Sequence, residues 1–256
     1  MKFNLLIIFI LLNLASCSGQ TDRRLISNWK KYPVPTNPDS LRKYGFSSQE
    51  WAVYKNNDSV FVADKKEVPS SQLPFKVKVK KGDSRDFFGR ASIVKVEDGY
   101  LVGFYRGEWG GALYWVSNDG KNYYKISDQE IVQFVKRNHK QYAVEGLAHL
   151  TMSQGSIIEI VKQNGKWAVK NYLKLPTAPE AVALDEQTNF IIITSKSLLK
   201  VDNDANTSIL INEGIWYDAL YPNSLVIHNT VVYAGMRAGV YQYDLSSGKD
   251  HWLLPY

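Results

Sequence analysis

The chain has 256 residues, of which 45% are hydrophobic, 22% charged and 13% aromatic, and it carries a formal charge of +6. This is a globular profile, with apolar mass for one large domain or two small ones. The cationic excess is mild and no run of Lys and Arg is dense enough for a nucleic-acid arm, so nucleic acid is not an expected partner. The densest stretch, Lys76 to Lys81, alternates with valine as a strand with one solvated face does. Sixteen Tyr and seven Trp favour strands.

Residues 1–17 read as a targeting segment. Lys2 supplies a positive start, and Leu5 to Leu12 is an apolar stretch too short for a comfortable membrane span. Leu14-Ala15-Ser16-Cys17 resembles the lipobox of bacterial lipoproteins, a family in which the Cys is lipidated and becomes the first residue of the mature chain. The competing reading is an ordinary secretory leader cut near Ala15. Cys17 is the only cysteine, and a lone thiol at the start of an exported chain favours lipidation. The resemblance implies a membrane anchor through Cys17 and a place in the bacterial cell envelope, exported from the cytoplasm. With one cysteine no disulfide supports the fold. Residues 18–44 are polar, contain Pro33, Pro35 and Pro38, and read as a tether, with Trp29 and Tyr32 as candidates to pack onto the domain.

The domain is expected over residues 45–256. Trp51–Tyr54 and Val60–Ala63 flank Asn56-Asn57-Asp58 and predict a hairpin, against a short helix capped by Ser47 with Glu50 three residues on. Pro74–Val79 predicts a further strand, making a degenerate first blade. A strand–turn–strand unit then occurs four times, clearest in Val231 to Tyr243, where Gly235 and Gly239 bracket the turn and supply backbone freedom. The second strand of each unit opens at Ala112, Ile157, Leu198 and Val240, every 41–45 residues. Turns of similar chemistry follow in each unit, at Asn118–Lys121, Asn164–Lys166, Asp202–Asp204 and Ser246–Lys249. Gln129 to Val135 fits either one or two helical turns or an inner strand. A repeat of about 40–50 residues with strands in each unit is the signature of propeller blades.

This pattern resembles the β-propeller folds, which close a ring of sheets to remove exposed edges. The fold class is therefore all-β, a propeller of five blades of about four strands, since six would need more chain than Trp51 to Tyr256 offers. The motifs Gly107-Glu108-Trp109-Gly110-Gly111, Glu145-Gly146-Leu147-Ala148-His149 and Tyr221-Pro222-Asn223-Ser224 resemble those of a family of uncharacterised bacterial exported proteins. That resemblance implies a fold and no activity.

The familiar catalytic motifs are absent. The four histidines have no close metal-ligand spacing, and there is no Gly-x-Ser-x-Gly elbow, phosphate loop or dinucleotide fingerprint, so catalytic residues are unknown. Propeller topology puts the turn between strands two and three on the same face as the blade-to-blade links. One rim then collects Arg106, Glu108, Trp109, Ser153, Gln154, Lys196 and Arg237 from the turns. The links add Glu180, Trp216, Tyr217, Asp218, Tyr221 and Asn223. The binding rim is read as Arg106, Glu108, Trp109, Arg237, Tyr217 and Asp218. Glu145 and His149 share a strand face and suit acid–base work if buried together.

Pro179-Glu180-Ala181-Val182 and Pro222-Asn223-Ser224-Leu225 form one position seen twice. It resembles the gluconolactonase-type propellers, which hold a divalent cation on carboxylate and amide oxygens near the central channel. Those proteins have Gly where this chain has Ser224, and they have six blades. Two readings stand. In the first, a lipid-anchored propeller without a cofactor binds an unidentified protein or small molecule as a binding or scaffold module. In the second, a metal-dependent hydrolase uses Glu145, Glu180 and Asn223 as ligands to a divalent cation.

Overall fold

The structure is a computed structural model that describes residues 24–255. The leader, Cys17 and the first part of the tether lie outside the described residues. The order is β1 (Lys30–Tyr32), α1 (Pro38–Gly45), β2 (Trp51–Asn56), β3 (Ser59–Asp64), β4 (Arg90–Val96), β5 (Gly99–Tyr105), β6 (Gly111–Ser117), β7 (Tyr123–Ser127), β8 (Ile131–Arg137), β9 (Lys140–His149) and β10 (Met152–Gln163). It continues through β11 (Lys166–Leu175), β12 (Pro179–Leu184), β13 (Phe190–Thr194), β14 (Leu198–Val201), β15 (Thr207–Ile211), β16 (Ser224–His228), β17 (Val231–Met236), β18 (Gly239–Asp244) and β19 (Asp250–Leu254). The chain is all-β and propeller-like. It forms five small antiparallel sheets in sequence: β2–β3, β4–β7, β8–β11, β12–β15, and β16–β19 with β1 added outside β19. Ala112, Ile157, Leu198 and Val240 all lie in the third strand of their sheets. Gln129 to Val135 leads into β8, an inner strand.

The first strands of successive sheets meet: β2 touches β16, β16 touches β12, β12 touches β8, and β8 touches β4. A strand buried on both faces reads as a continuous apolar run. Phe190 to Thr194 is wholly buried. Phe190 and Ile192 pack toward Val144, Ile157 and Leu175 of the third sheet, and Ile191 and Ile193 pack toward Val232, Ala234 and Tyr241 of the fifth. Leu101 and Leu113 meet Ile131, Ala143 and Ile158 between the second and third sheets.

The tether reading stops short of what residues 24–45 do. Val62 N–H donates to Arg24 O at 2.7 Å along the edge of β3, and Lys30 to Tyr32 pair with Leu254 to Trp252. Between these contacts Trp29 is buried with its ring 4.9 Å from that of Trp51. The segment thus joins the outer edges of the first and last sheets. Leu41 and Tyr44 of α1 pack on the core between the fourth and fifth sheets.

Two expectations about local structure are corrected. The hairpin β2–β3 forms, but Pro74–Val79 is not a strand. Leu73, Phe75 and Val77 pack instead on the face of the second sheet, beside Val102 and Tyr114, where the missing half of the first sheet would lie. The period-two pattern reports an extended segment with one buried face, and a hydrogen-bonded ladder is a separate requirement. Gly235 and Gly239 do not supply the turn's left-handed residue, which is Ala238 at φ 66°. They allow close approach: a Cβ on Gly235 would stand 2.5 Å from Trp51 O, and one on Gly239 2.5 Å from the Trp252 ring.

Candidate functional site

The sheet-to-sheet links and the turns between second and third strands lie on one face and touch one another around it. Ala238 N–H donates to Gln49 O at 2.9 Å, and Gly214 N–H to Lys196 O at 2.8 Å. Ser153 Oγ lies 3.0 Å from Ser195 Oγ, and Glu108 pairs with His149 Nε2 at 3.0 Å. On this loop face stand most of the large apolar side chains that solvent reaches: Phe46, Phe88, Trp109, Leu150, Met152, Tyr217 and Tyr221. Trp109 is 73% exposed and Leu150 91%. Tyr32, Tyr54 and Ile209 lie elsewhere, and Val68 stands in the segment after β3.

The expected rim residues take different roles there. Trp109 projects from the turn between β5 and β6, with Glu108 beside it on His149. Tyr217 is exposed under the Lys196 ammonium, 5.1 Å from its ring centroid. Asp218 is exposed at φ 61°. Arg106 is not a free cation facing solvent. Its side chain is mostly buried, pairs with Asp86 at 3.1 Å, and donates to Arg85 O and Gly111 O, clamping its own turn to the segment before β4. Burial alone would raise the Asp86 carboxyl, but hydrogen bonds from Lys125, Tyr114 and Arg106 hold it below the usual carboxylate range. Arg237 donates to Gly45 O at 2.6 Å, lies 3.5 Å from Glu50 and stacks on Tyr221, joining the fifth sheet to the link before β2. Trp216 is core, its Nε1–H donating to Thr194 O.

Where the first strands begin, a second group of polar residues gathers: Arg90, Tyr105, Glu130 and Glu180. Burial pushes the Glu180 carboxyl up to about 7, with Arg90 and Lys65 pulling against it. The Tyr105 phenol is raised by burial and by Glu180 and Glu130, and Arg90, 4.9 Å from its ring, opposes them. These groups therefore share one space. Asn223 is committed to the protein itself: its Nδ2 donates to Trp51 O and its Oδ1 accepts from Ser224 Oγ, which in turn accepts from Val53 N–H.

Beside this group a cleft of about 770 Å³ opens at the loop-face end of the junction between the second and third sheets. Deeper in that junction Ala143 and Ile158 are apolar and packed. Nearer the face the same side of the sheet carries Glu145, Ser156 and Lys174 in one cross-strand row, and the junction parts. Asp128, Gln129 and Glu130 form the opposite wall. Ser156 donates to Glu145 Oε1. Burial raises Glu145, and burial together with the Glu145 charge raises Glu130. Glu145 and His149 do not pair, since His149 belongs to Glu108.

The three oxygen-bearing residues of the metal reading are not brought together. Glu145 lies in the cleft with Ser156, Glu180 near Arg90 and Tyr105, and Asn223 in the seam between the first and fifth sheets. Among the described residues no three His, Cys, Asp or Glu side chains converge on a point that could hold a metal ion. Sequence reasoning missed Glu130, Ser156 and Arg90. Glu130 had a signal: it stands just before a first strand, as Glu180 and Asn223 stand at the start of theirs.

No family model and no curated protein matches the chain. Among solved structures it is similar to a chain of the nidogen/laminin complex, at 10% identity over 82% of this chain and 77% of that one, with a TM-score of 0.46. It is similar to the GH43 endo-arabinanase from Bacillus licheniformis at 11% identity, over 66% and 80% of the two chains, with a TM-score of 0.41. It is also similar to the extracellular domain of a one component system from B. thetaiotaomicron at 10% identity, over 89% of this chain and 30% of that one, with a TM-score of 0.47.

Proposed function

We propose that the chain is a lipid-anchored, five-bladed β-propeller that binds a partner through its loop face at the bacterial cell envelope. The observation that carries this reading is the gathering of exposed Trp109, Leu150, Met152, Tyr217 and Tyr221 on that one face. Solvated apolar side chains scattered singly are ordinary, whereas a concentration on one surface suits an interface. Trp and Tyr are among the side chains that dominate binding energy. Arg106 and Arg237 hold the turns and do not supply the contact charge. The ring-like order of the blades is supported by first-strand contacts from β4 round to β2, and residues 24–32 reinforce the join between the first and last sheets. The anchor is supported by the apolar leader and the single Cys17 of its lipobox-like sequence. Several acyl chains at about 0.8 kcal/mol per buried methylene make a stable attachment.

The test is direct. Once a partner has been captured with the full-length protein, Trp109→Ala should weaken it by ~2 kcal/mol or more. Its melting temperature should stay near that of the parent, because the ring is exposed. Unchanged affinity in the folded variant would move the site off this face. The metal-dependent hydrolase is not adopted, because Glu145, Glu180 and Asn223 face three different surroundings.

A further inference from the structure

We propose that the cleft between the second and third sheets is a binding site for a small organic cation, an aliphatic primary ammonium held by Glu130 and Glu145. The chemistry of the cleft wall carries this. Three buried side-chain oxygens, Ser127 Oγ, Gln129 Oε1 and Glu130 Oε2, have no hydrogen-bond partner among the described residues, and all three residues line this cleft. Two of these atoms only accept, and the hydroxyl does either, so this wall is rich in acceptors, and Lys174 is the single Lys or Arg that lines the cleft against its carboxylates. Such atoms are costly to leave unpaired. The carboxyls of Glu130 and Glu145 also repel one another.

A primary ammonium answers both deficits. It brings three N–H donors and one positive charge, and charge-assisted hydrogen bonds to carboxylates are the strong kind. A metal ion is the poorer fit, because among the described residues no three His, Cys, Asp or Glu side chains converge on one point. A neutral polyol would supply donors but leave the carboxyl repulsion in place. Leu147 lines the same cleft and offers an apolar surface for a short carbon chain. Trp109 is not among the residues that line the cleft.

Binding is coupled to protons. The groups facing Glu130 are Glu145 on β9, Arg106 from the turn before β6, Tyr105 at the end of β5, Asp128 in the link and Lys174 on β11. Both glutamates titrate above the ordinary carboxylate range, and only their ionised forms attract the ammonium. Affinity therefore rises with pH until both are ionised and falls as they protonate, and binding at mildly acidic pH releases protons.

The experiment is calorimetric titration of the full-length protein with butylammonium chloride and with 1-butanol, its neutral isostere. The proposal expects saturable binding of butylammonium, at least about tenfold weaker binding of butanol, and proton release revealed by buffers of different ionisation enthalpy. Glu130→Gln should weaken butylammonium by about tenfold or more, and Trp109→Ala should leave it unchanged. The pH dependence and proton release are read on the parent protein, so they stand even if Glu130→Gln fails to fold. Absence of saturable heat, equal binding of butanol, or affinity independent of pH would each overturn the proposal.

Discussion

Burial holds the Glu180 carboxyl at about 7, against 4.5 for a free glutamate. The folded chain therefore binds this proton more tightly than the unfolded chain does. Its contribution is most favourable below about pH 4.5 and is lost as pH rises toward 7. Glu180→Gln should remove that loss: the variant should be more stable than the parent at about pH 8, by on the order of 3 kcal/mol or less, and similar to it at about pH 4. Urea denaturation of both proteins across that range checks the sign, and parallel pH profiles would show that Glu180 is solvated. Arg106 makes a second prediction. Because it ties Asp86, Arg85 O and Gly111 O together from a mostly buried position, Arg106→Ala should cost about 3–5 kcal/mol, the scale of breaking a buried pair. The sequence displays Arg106 in a glycine-rich turn beside Glu108 and so invites a solvent-exposed reading. The partner that buries it, Asp86, lies twenty residues upstream in a segment with no regular structure.

At the scale of elements, residues 24–32 act as a clasp across the first and last sheets. Trp29→Ala should cost about 3–5 kcal/mol, as large-to-small changes in a core do, whereas Trp109→Ala should stay within about 0.5 kcal/mol. A melting curve for each variant separates core Trp from surface Trp. Strands were the most legible elements, because a doubly buried strand such as Phe190 to Thr194 needs an unbroken apolar run, and the turns at Asn118, Asn164, Asp202 and Ser246 punctuate the repeat. Less legible was anything set by contact between distant segments. The alternation at Phe75 and Val77 fixes one buried face but does not say whether the backbone bonds to a neighbour. Trp216 and Tyr217 are adjacent in sequence, yet one is core and the other solvent-facing. The cleft was half legible: Glu145 stood out on its strand, while Glu130 became visible only when its place before β8 could be set beside Glu180 before the body of β12.

At the scale of the whole molecule, the proposed attachment at Cys17 and the proposed contact face on the loop side can be tested separately. Cys17→Ser should abolish incorporation of a fatty-acid analogue in cells, and equal labelling of mutant and parent would remove the anchor. The loop face is the central claim, and site-specific photo-crosslinking in cells tests it most directly. A photoreactive residue placed at Trp109, Leu150 or Tyr221 is compared with one at Tyr54 or Ile209, which are equally large and also exposed. The account predicts a common adduct from the three loop-face positions and none from the other two. Adducts only from Tyr54 and Ile209, or the same adducts from all five, would contradict it.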